Sequence, residues 1–228
     1  MKNWPTDHPK AKLMARKRAA ILDAAREAFL RDGYEGTSME GIAASAGVSI
    51  MTLYRHAEGK DNLFVAVIAS ACHPADQGER IRSEESLQKP LEEILVFVGL
   101  MFQERLANPT TTALFRAVMV ETERYPHLAD MAYNGLIGTH EDALDAFLSQ
   151  RVETASLDAG QRRKLSAAFL NRLVGIDNIR VLLGLSGASE AERLDRAKSS
   201  TAELLSALSA CQVRLDGADN QTPTLSVA

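Results

Sequence analysis

The sequence predicts an all-α fold in two parts, a three-helix unit at the N-terminus and a larger helical region after it. Three observations predict it. Only 5% of the 228 residues are aromatic while Ala and Leu are frequent, which favours helix over sheet. Apolar residues recur at three- and four-residue spacing, and no run of β-branched residues in strict alternation marks a strand. Residues 37–60 read as two short helices joined at a glycine, a helix-turn-helix pattern.

Residues 1–10 hold two prolines and little apolar content and read as a flexible basic arm. A helix is expected from about Lys12 to Asp32, with Ile21, Ala25, Ala28 and Phe29 as its apolar stripe and Gly33 as its C-cap. Thr37 and Glu40 have capping-box spacing and open a second helix that buries Ile42 and Ala43. It ends at Ala46, before Gly47. Val48 plugs the turn, and Ser49 caps a third helix of about two turns that ends by His56. A fourth helix covers Leu63 to Ala71 and stops at Cys72-His73-Pro74. Residues 75–86 are polar and read as a loop. Helices are then expected at Leu87–Ala107, Thr110–Glu123, His127–Arg151, Asp158–Leu185 and Ser189–Leu215, and residues 216–228 as a disordered tail. The domains are therefore read as 11–73 and 74–215.

The chain carries a net charge of −4, distributed unevenly. Residues 1–64 hold ten Lys/Arg against eight Asp/Glu, and residues 1–18 hold six against one. The remainder holds sixteen against twenty-two. A basic end on an acidic body suits a protein whose one end meets phosphate. Cys72 and Cys211 have neither CxxC spacing nor a second pair, so neither zinc nor a disulfide framework is expected. His127, His140 and Glu141 have no metal-ligand spacing, and no metal or cofactor is expected. No apolar run suits a signal peptide or a membrane span. The expectation is a cytoplasmic protein without membrane contact.

A helix-turn-helix reads DNA by laying its second helix in the major groove. Ile42, Ala43, Ala46, Val48 and Leu53 are the apolar residues that fix the angle between the two helices. With Leu53 inward, Ile50, Met51, Thr52, Tyr54 and Arg55 are available to the groove. Arg55 suits a bidentate contact to guanine, Thr52 a hydrogen bond or a thymine methyl, and Tyr54 a phosphate or sugar. Ile50 and Met51 offer apolar contact alone. His56 and Lys60 lie where phosphate is the partner. Thr37, Ser38 and Ser49 stand at helix N-termini, where amides and hydroxyls meet anions. The same pattern occurs in helical proteins without DNA, with Tyr54 as an interior aromatic and Arg55 paired to Glu58.

Phe29, Gly33, Tyr34, Thr37, Ile42-Ala43, Ala46-Gly47-Val48-Ser49, Leu53-Tyr54-Arg55-His56 and Lys60-Asp61-Asn62-Leu63 together resemble the N-terminal domain of TetR-family transcriptional regulators. The resemblance covers about residues 15–65 without a gap. Ala57 departs from it, where the family usually has an aromatic, and Ile50-Met51 replaces small or polar residues. Leu114-Phe115-Arg116 through Glu121, Arg124-Tyr125-Pro126 and Leu128-Ala129 resemble the C-terminal domain of AefR-like members. The resemblance implies a homodimer on a palindromic operator in double-stranded DNA, with a small-molecule effector in the C-terminal domain that alters the separation of the two heads. The apolar surface of the last two long helices independently suggests pairing with a second copy.

For an effector, the polar groups set in apolar stretches are Arg105, Tyr133, Asn134, His140, Asn171 and Asn178. Met101, Phe102, Met119, Phe147 and Phe169 are candidate apolar walls. Asn171 and Asn178 can alternatively bond across a dimer. No nucleophile elbow or paired catalytic carboxylates point to an enzyme. The expected function is a repressor released from its operator by a small, largely apolar ligand. An activator or an architectural DNA-binding protein without effector is the alternative.

Overall fold

The structure, a computed structural model, describes residues 8–72 and 84–219, and among them there is no strand. Twelve α-helices follow in order among the described residues: α1 (Pro9–Gly36), α2 (Met39–Ser45), α3 (Ile50–His56), α4 (Lys60–Cys72), α5 (Glu84–Gln88), α6 (Leu91–Ala107), α7 (Pro109–Glu121), α8 (Pro126–Tyr133), α9 (Thr139–Leu148), α10 (Ala159–Leu173), α11 (Asp177–Leu182) and α12 (Glu190–Asp219). A π-helical turn, Asn134–Gly138, links α8 to α9.

These helices form two compact units. One joins α1–α4 with α7, α8 and the π turn, and the other joins α5 and α6 with α9–α12. The linear division into 11–73 and 74–215 does not anticipate this, because residues 108–138 pack with the N-terminal helices.

In the first unit, Ile21, Ala25 and Phe29 of α1 face Ile42, Leu53, Leu63 and Phe64 in one buried cluster. Phe29 and Phe64 meet edge-to-face at 4.7 Å, and Tyr34 meets Phe64 edge-to-face at 5.3 Å. Such pairs add to the burial of their area. Leu114, Val118, Leu128 and Ala132 are the buried apolar residues of α7 and α8, with Thr111 and Thr112 buried beside them. In the second unit, Leu95 and Phe102 of α6, Phe147 and Leu148 of α9, Phe169, Leu170 and Leu173 of α10, and Ala197 and Leu204 of α12 are buried.

Several boundaries differ from the sequence reading. α1 begins at Pro9, where proline is preorganised for a first helical turn and His8 caps the Lys10 amide, so residues 9 and 10 belong to a helix. Residues 1–7 of the expected arm lie outside the described residues. Gly33 has φ 72° and ψ 177°, a conformation open essentially to glycine alone, so α1 breaks there by an extended kink rather than by a left-handed cap. The expected loop 75–86 lies outside the described residues up to 83, and Glu84–Gln88 is helical. Pro90 separates it from α6.

The single helix expected at His127–Arg151 is interrupted by the π turn, which contains Gly135 and Gly138. The helix expected at Asp158–Leu185 is two. Asp158 and Gln161 close a capping box at its start, but the chain leaves helical geometry at Val174 and resumes at Asp177. A side chain on Gly175 would place its Cβ 2.5 Å from the Arg196 guanidinium carbon, so only glycine lets that arginine lie across the break. Arg196 pairs there with Asp177 and bonds to Gln103. α12 continues to Asp219, so residues 216–219 of the expected tail are helical, and 220–228 lie outside the described residues.

Candidate nucleic-acid interface

α2 and α3 are set by local chemistry. Ser38 caps α2, its hydroxyl accepting from the Gly41 amide at 3.1 Å. The capping box expected at Thr37 is corrected by one residue. Thr37 is only 4% exposed, and its hydroxyl donates to the Gly33 carbonyl at 2.7 Å. That hydroxyl is committed inside the unit, so Thr37 loses its expected place among the phosphate contacts, while Ser38 remains exposed. α2 closes at Ala46, whose amide bonds back to Ile42. Gly47 then turns the chain with φ 64°. Ser49 caps α3 and accepts from the Thr52 amide at 3.2 Å.

Leu53 is fully buried and sets the rotation of α3. Met51 is 75% and Tyr54 46% exposed. Arg55 is exposed, and Ile50, Thr52 and His56 are half-buried at the edges. The hydroxyls of Ser49 and Thr52 lie 2.9 Å apart, and the Arg55 guanidinium donates to Thr52 at 3.4 Å. Residues three apart share a helix face, so Ser49, Thr52 and Arg55 form one ordered polar ridge beside the apolar Met51. Ala57, also buried, fills the place of the aromatic that the resemblance implied, and its amide bonds to Leu53.

Burial first, then repulsion from Arg18, Arg55 and Lys17, pushes the His56 imidazole below its usual pKa of 6.5. It is neutral at pH 7. A phosphate oxygen beside it would favour the charged form, so DNA binding would take up a proton. Affinity is then expected to rise as pH falls through the raised pKa of the complex and to level off below that of the free protein. Titrating DNA at stepped pH checks this. His56→Gln should flatten the profile, and a flat wild-type profile would mean that no phosphate reaches His56.

Lys60 is held differently from its expected role. Its ammonium donates to the carbonyls of Thr37 at 2.8 Å and Glu35 at 3.2 Å and lies over the Tyr34 ring. Burial lowers its pKa. It clasps the end of α1 to the start of α2, and a phosphate contact would compete with that clasp.

Sequence reasoning missed a polar cluster in the same unit. Asp61 accepts from the Tyr34 hydroxyl on one oxygen and meets His127 Nε2 at 2.7 Å on the other. The Tyr34 bond foremost, with His127 and Lys60 adding, holds the Asp61 carboxyl below the usual carboxylate range. Burial and Asp61 push the Tyr34 phenol up. Tyr125 meets Tyr34 edge-to-face, and Arg124 pairs with Glu35. The segment between α7 and α8 is thereby tied to the end of α1, and the first turn of α8 to the start of α4. No local spacing connects residues 66 positions apart.

The effector candidates divide. Arg105 Nη1 lies 3.0 Å from His140 Nε2, and the Phe102 ring meets His140 edge-to-face at 5.0 Å, so α6 and α9 bring these three together. Phe147 and Phe169 are buried, and Met101 is half-buried. Met119, Tyr133, Asn134 and Asn171 are exposed. Asn178 lines a partly open notch of mixed character, with Gln103, Asp177, Arg193 and Arg196 beside Leu173 and Val181. No group suited to a metal ion occurs among the described residues, and none of their helices is long and apolar enough to cross a membrane.

A family model described as bacterial regulatory proteins, tetR family, matches residues 21–67. A second, the C-terminal domain of AefR-like transcriptional repressors, matches residues 93–207. The HTH-type transcriptional regulator UidR of Escherichia coli K12 is 29% identical over 186 residues, covering 80% of this chain and 86% of that protein. A TetR-family regulator from Mesorhizobium loti superimposes with TM-score 0.65 at 26% identity, covering 85% of this chain and 97% of that one. The flavonoid-responsive regulator FrrA superimposes with TM-score 0.61 at 25% identity, with the same coverage. With both regions matched, the chain belongs to the TetR family of DNA-binding transcriptional regulators and is not an enzyme.

Proposed function

We propose that this protein is a homodimeric repressor, each copy reading one half of a palindromic operator with α3 and releasing it when a small, largely apolar ligand binds the C-terminal region. The observation that carries the reading is α3 itself. Its buried Leu53 leaves Met51, Tyr54 and the Ser49–Thr52–Arg55 ridge outward. In this reading Arg55, Thr52, Met51 and Ile50 meet bases, and Ser38, Ser49, Tyr54 and His56 meet the backbone.

Dimerisation is supported by a patch on the broken helix. Val174, Ile176, Ile179, Leu183 and Leu185 are all more than two-fifths exposed within twelve residues. Burying such a patch against its twofold copy removes it from water. The patch is narrower than the two long helices of the sequence reading, because the chain breaks at Gly175. The effector is supported by Phe102, Arg105 and His140, an aromatic ring beside a hydrogen-bonded arginine–histidine pair, and by the relative whose name records a response to flavonoids. The cluster at Asp61 suits transmission, because it links the start of α4 to the first turn of α8.

The experiment is Ile179→Asp with Leu183→Asp, followed by sedimentation and operator titration. The expected result is a folded monomer whose affinity for a full palindrome falls to that for one half-site. A dimer that survives both changes would overturn this assignment of the interface. A thermal-shift screen of planar phenolic compounds tests the effector, and a hit must weaken operator binding.

A further inference from the structure

We propose that the exposed first three turns of α1 form a second DNA-binding element, gripping backbone phosphates outside the half-site that α3 reads. The proposal rests on DNA reading by α3.

α1 starts at Pro9, yet its first buried residue is Ile21. Between them every residue is exposed except the half-buried Ala11. At 1.5 Å per residue these twelve residues overhang by about 18 Å, roughly five base pairs of duplex. The overhang carries Lys10, Lys12, Arg16, Lys17 and Arg18, and no acidic residue lies between Asp7 and Asp23. Arg16, Lys17 and Arg18 make no ion pair among the described residues.

A solvated helix usually mixes charges of both signs. This one holds a single sign, with Lys12 and Arg16 one turn apart, a spacing at which like charges oppose the helix. It also places cations at the positive end of the helix dipole, where anions are favoured. A helix of this length without packing is marginal in water. A polyanion would relieve all three costs. The place is also right. Lys17 and Arg18, at the base of the overhang, lie close enough to His56 at the end of α3 to perturb its charge together with Arg55. The overhang therefore continues the basic surface of the recognition helix.

The test uses the full chain and the triple variant Arg16→Gln, Lys17→Gln, Arg18→Gln, which retains residues of good helix propensity. The probe is the duplex that the wild-type protein selects from a random library, made with six flanking base pairs on each side and trimmed to the half-sites. Anisotropy titrations between about 50 and 200 mM salt read the slope of log K against log salt. The wild-type slope should be steeper on the long duplex, by about 0.9 for each added phosphate contact and so by up to about 5 for three contacts in each of two protomers. The triple variant should lose that difference and keep the wild-type ranking of single-base changes within the half-site. Equal wild-type slopes on the long and trimmed duplexes would overturn the proposal. So would a triple variant that binds the long duplex like wild type, or one whose base ranking changes. Failure to select any sequence would instead remove the reading by α3, and the proposal with it.

Discussion

Replacing Phe64 with alanine is expected to cost about 3–5 kcal/mol of stability, the usual range for a buried phenylalanine. The ring is fully buried and packs edge-to-face against both Phe29 and Tyr34. Phe29 holds the last helical turn of α1 before the kink at Gly33. Tyr34 ties the end of α1 to Asp61. The cavity would therefore loosen the frame that holds α2 and α3, and specific DNA binding should fall with it. Urea unfolding measures the loss. Met51→Ala is the control, since a 75% exposed side chain should change stability by less than about 0.5 kcal/mol. Equal effects of the two changes on stability would refute the packing described for the first unit.

Replacing Arg55 with alanine should leave stability unchanged and weaken operator binding by about 1–3 kcal/mol in each half-site. A twofold complex loses both contacts, so the total is about 2–6 kcal/mol. Arg55 is exposed and braced by Thr52. The brace fixes the guanidinium before DNA arrives, which lowers the entropic cost of a bidentate contact. One base preference should relax in each half-site while the others persist. Equal loss on specific and random duplex would make Arg55 a phosphate contact and leave the reading to Thr52 and Met51.

The DNA-reading unit was legible where its signals are local. Ser49 before a short apolar-polar pattern, Gly47 in the turn and Leu53 at the right phase are each read within a few residues. Thr37 and Ser38 show the resolution of such signals, since both suit a cap and only tertiary packing of the Thr37 hydroxyl decides between them. The break at Gly175 was hidden because Val174 and Ile176 keep an apolar pattern running through it. Arg196, 21 positions away, lies across the break and pairs with Asp177. His127 gave no signal of its role, because the carboxylate it meets belongs to another part of the sequence. The effector candidates divided for the same reason. Helical spacing puts Met119 and Tyr133 in apolar segments, but exposure depends on which helices pack beside them.

The overhang of α1 shows the reverse case. Its charges are plain in the sequence, which puts Lys10 in a flexible arm and Lys12, Arg16, Lys17 and Arg18 at the start of a helix. The structure starts that helix at Pro9 and leaves all of these charges exposed ahead of its first buried residue, Ile21.

Selection from a random duplex library by the full chain, followed by sedimentation of the protein on the selected duplex, tests the central claim most directly. The expected product is an inverted repeat whose half-site centres lie about 34 Å apart or a multiple of that, with protomers bound in pairs. Enrichment of a single unrepeated site by one protomer, or of no sequence at all, would contradict it.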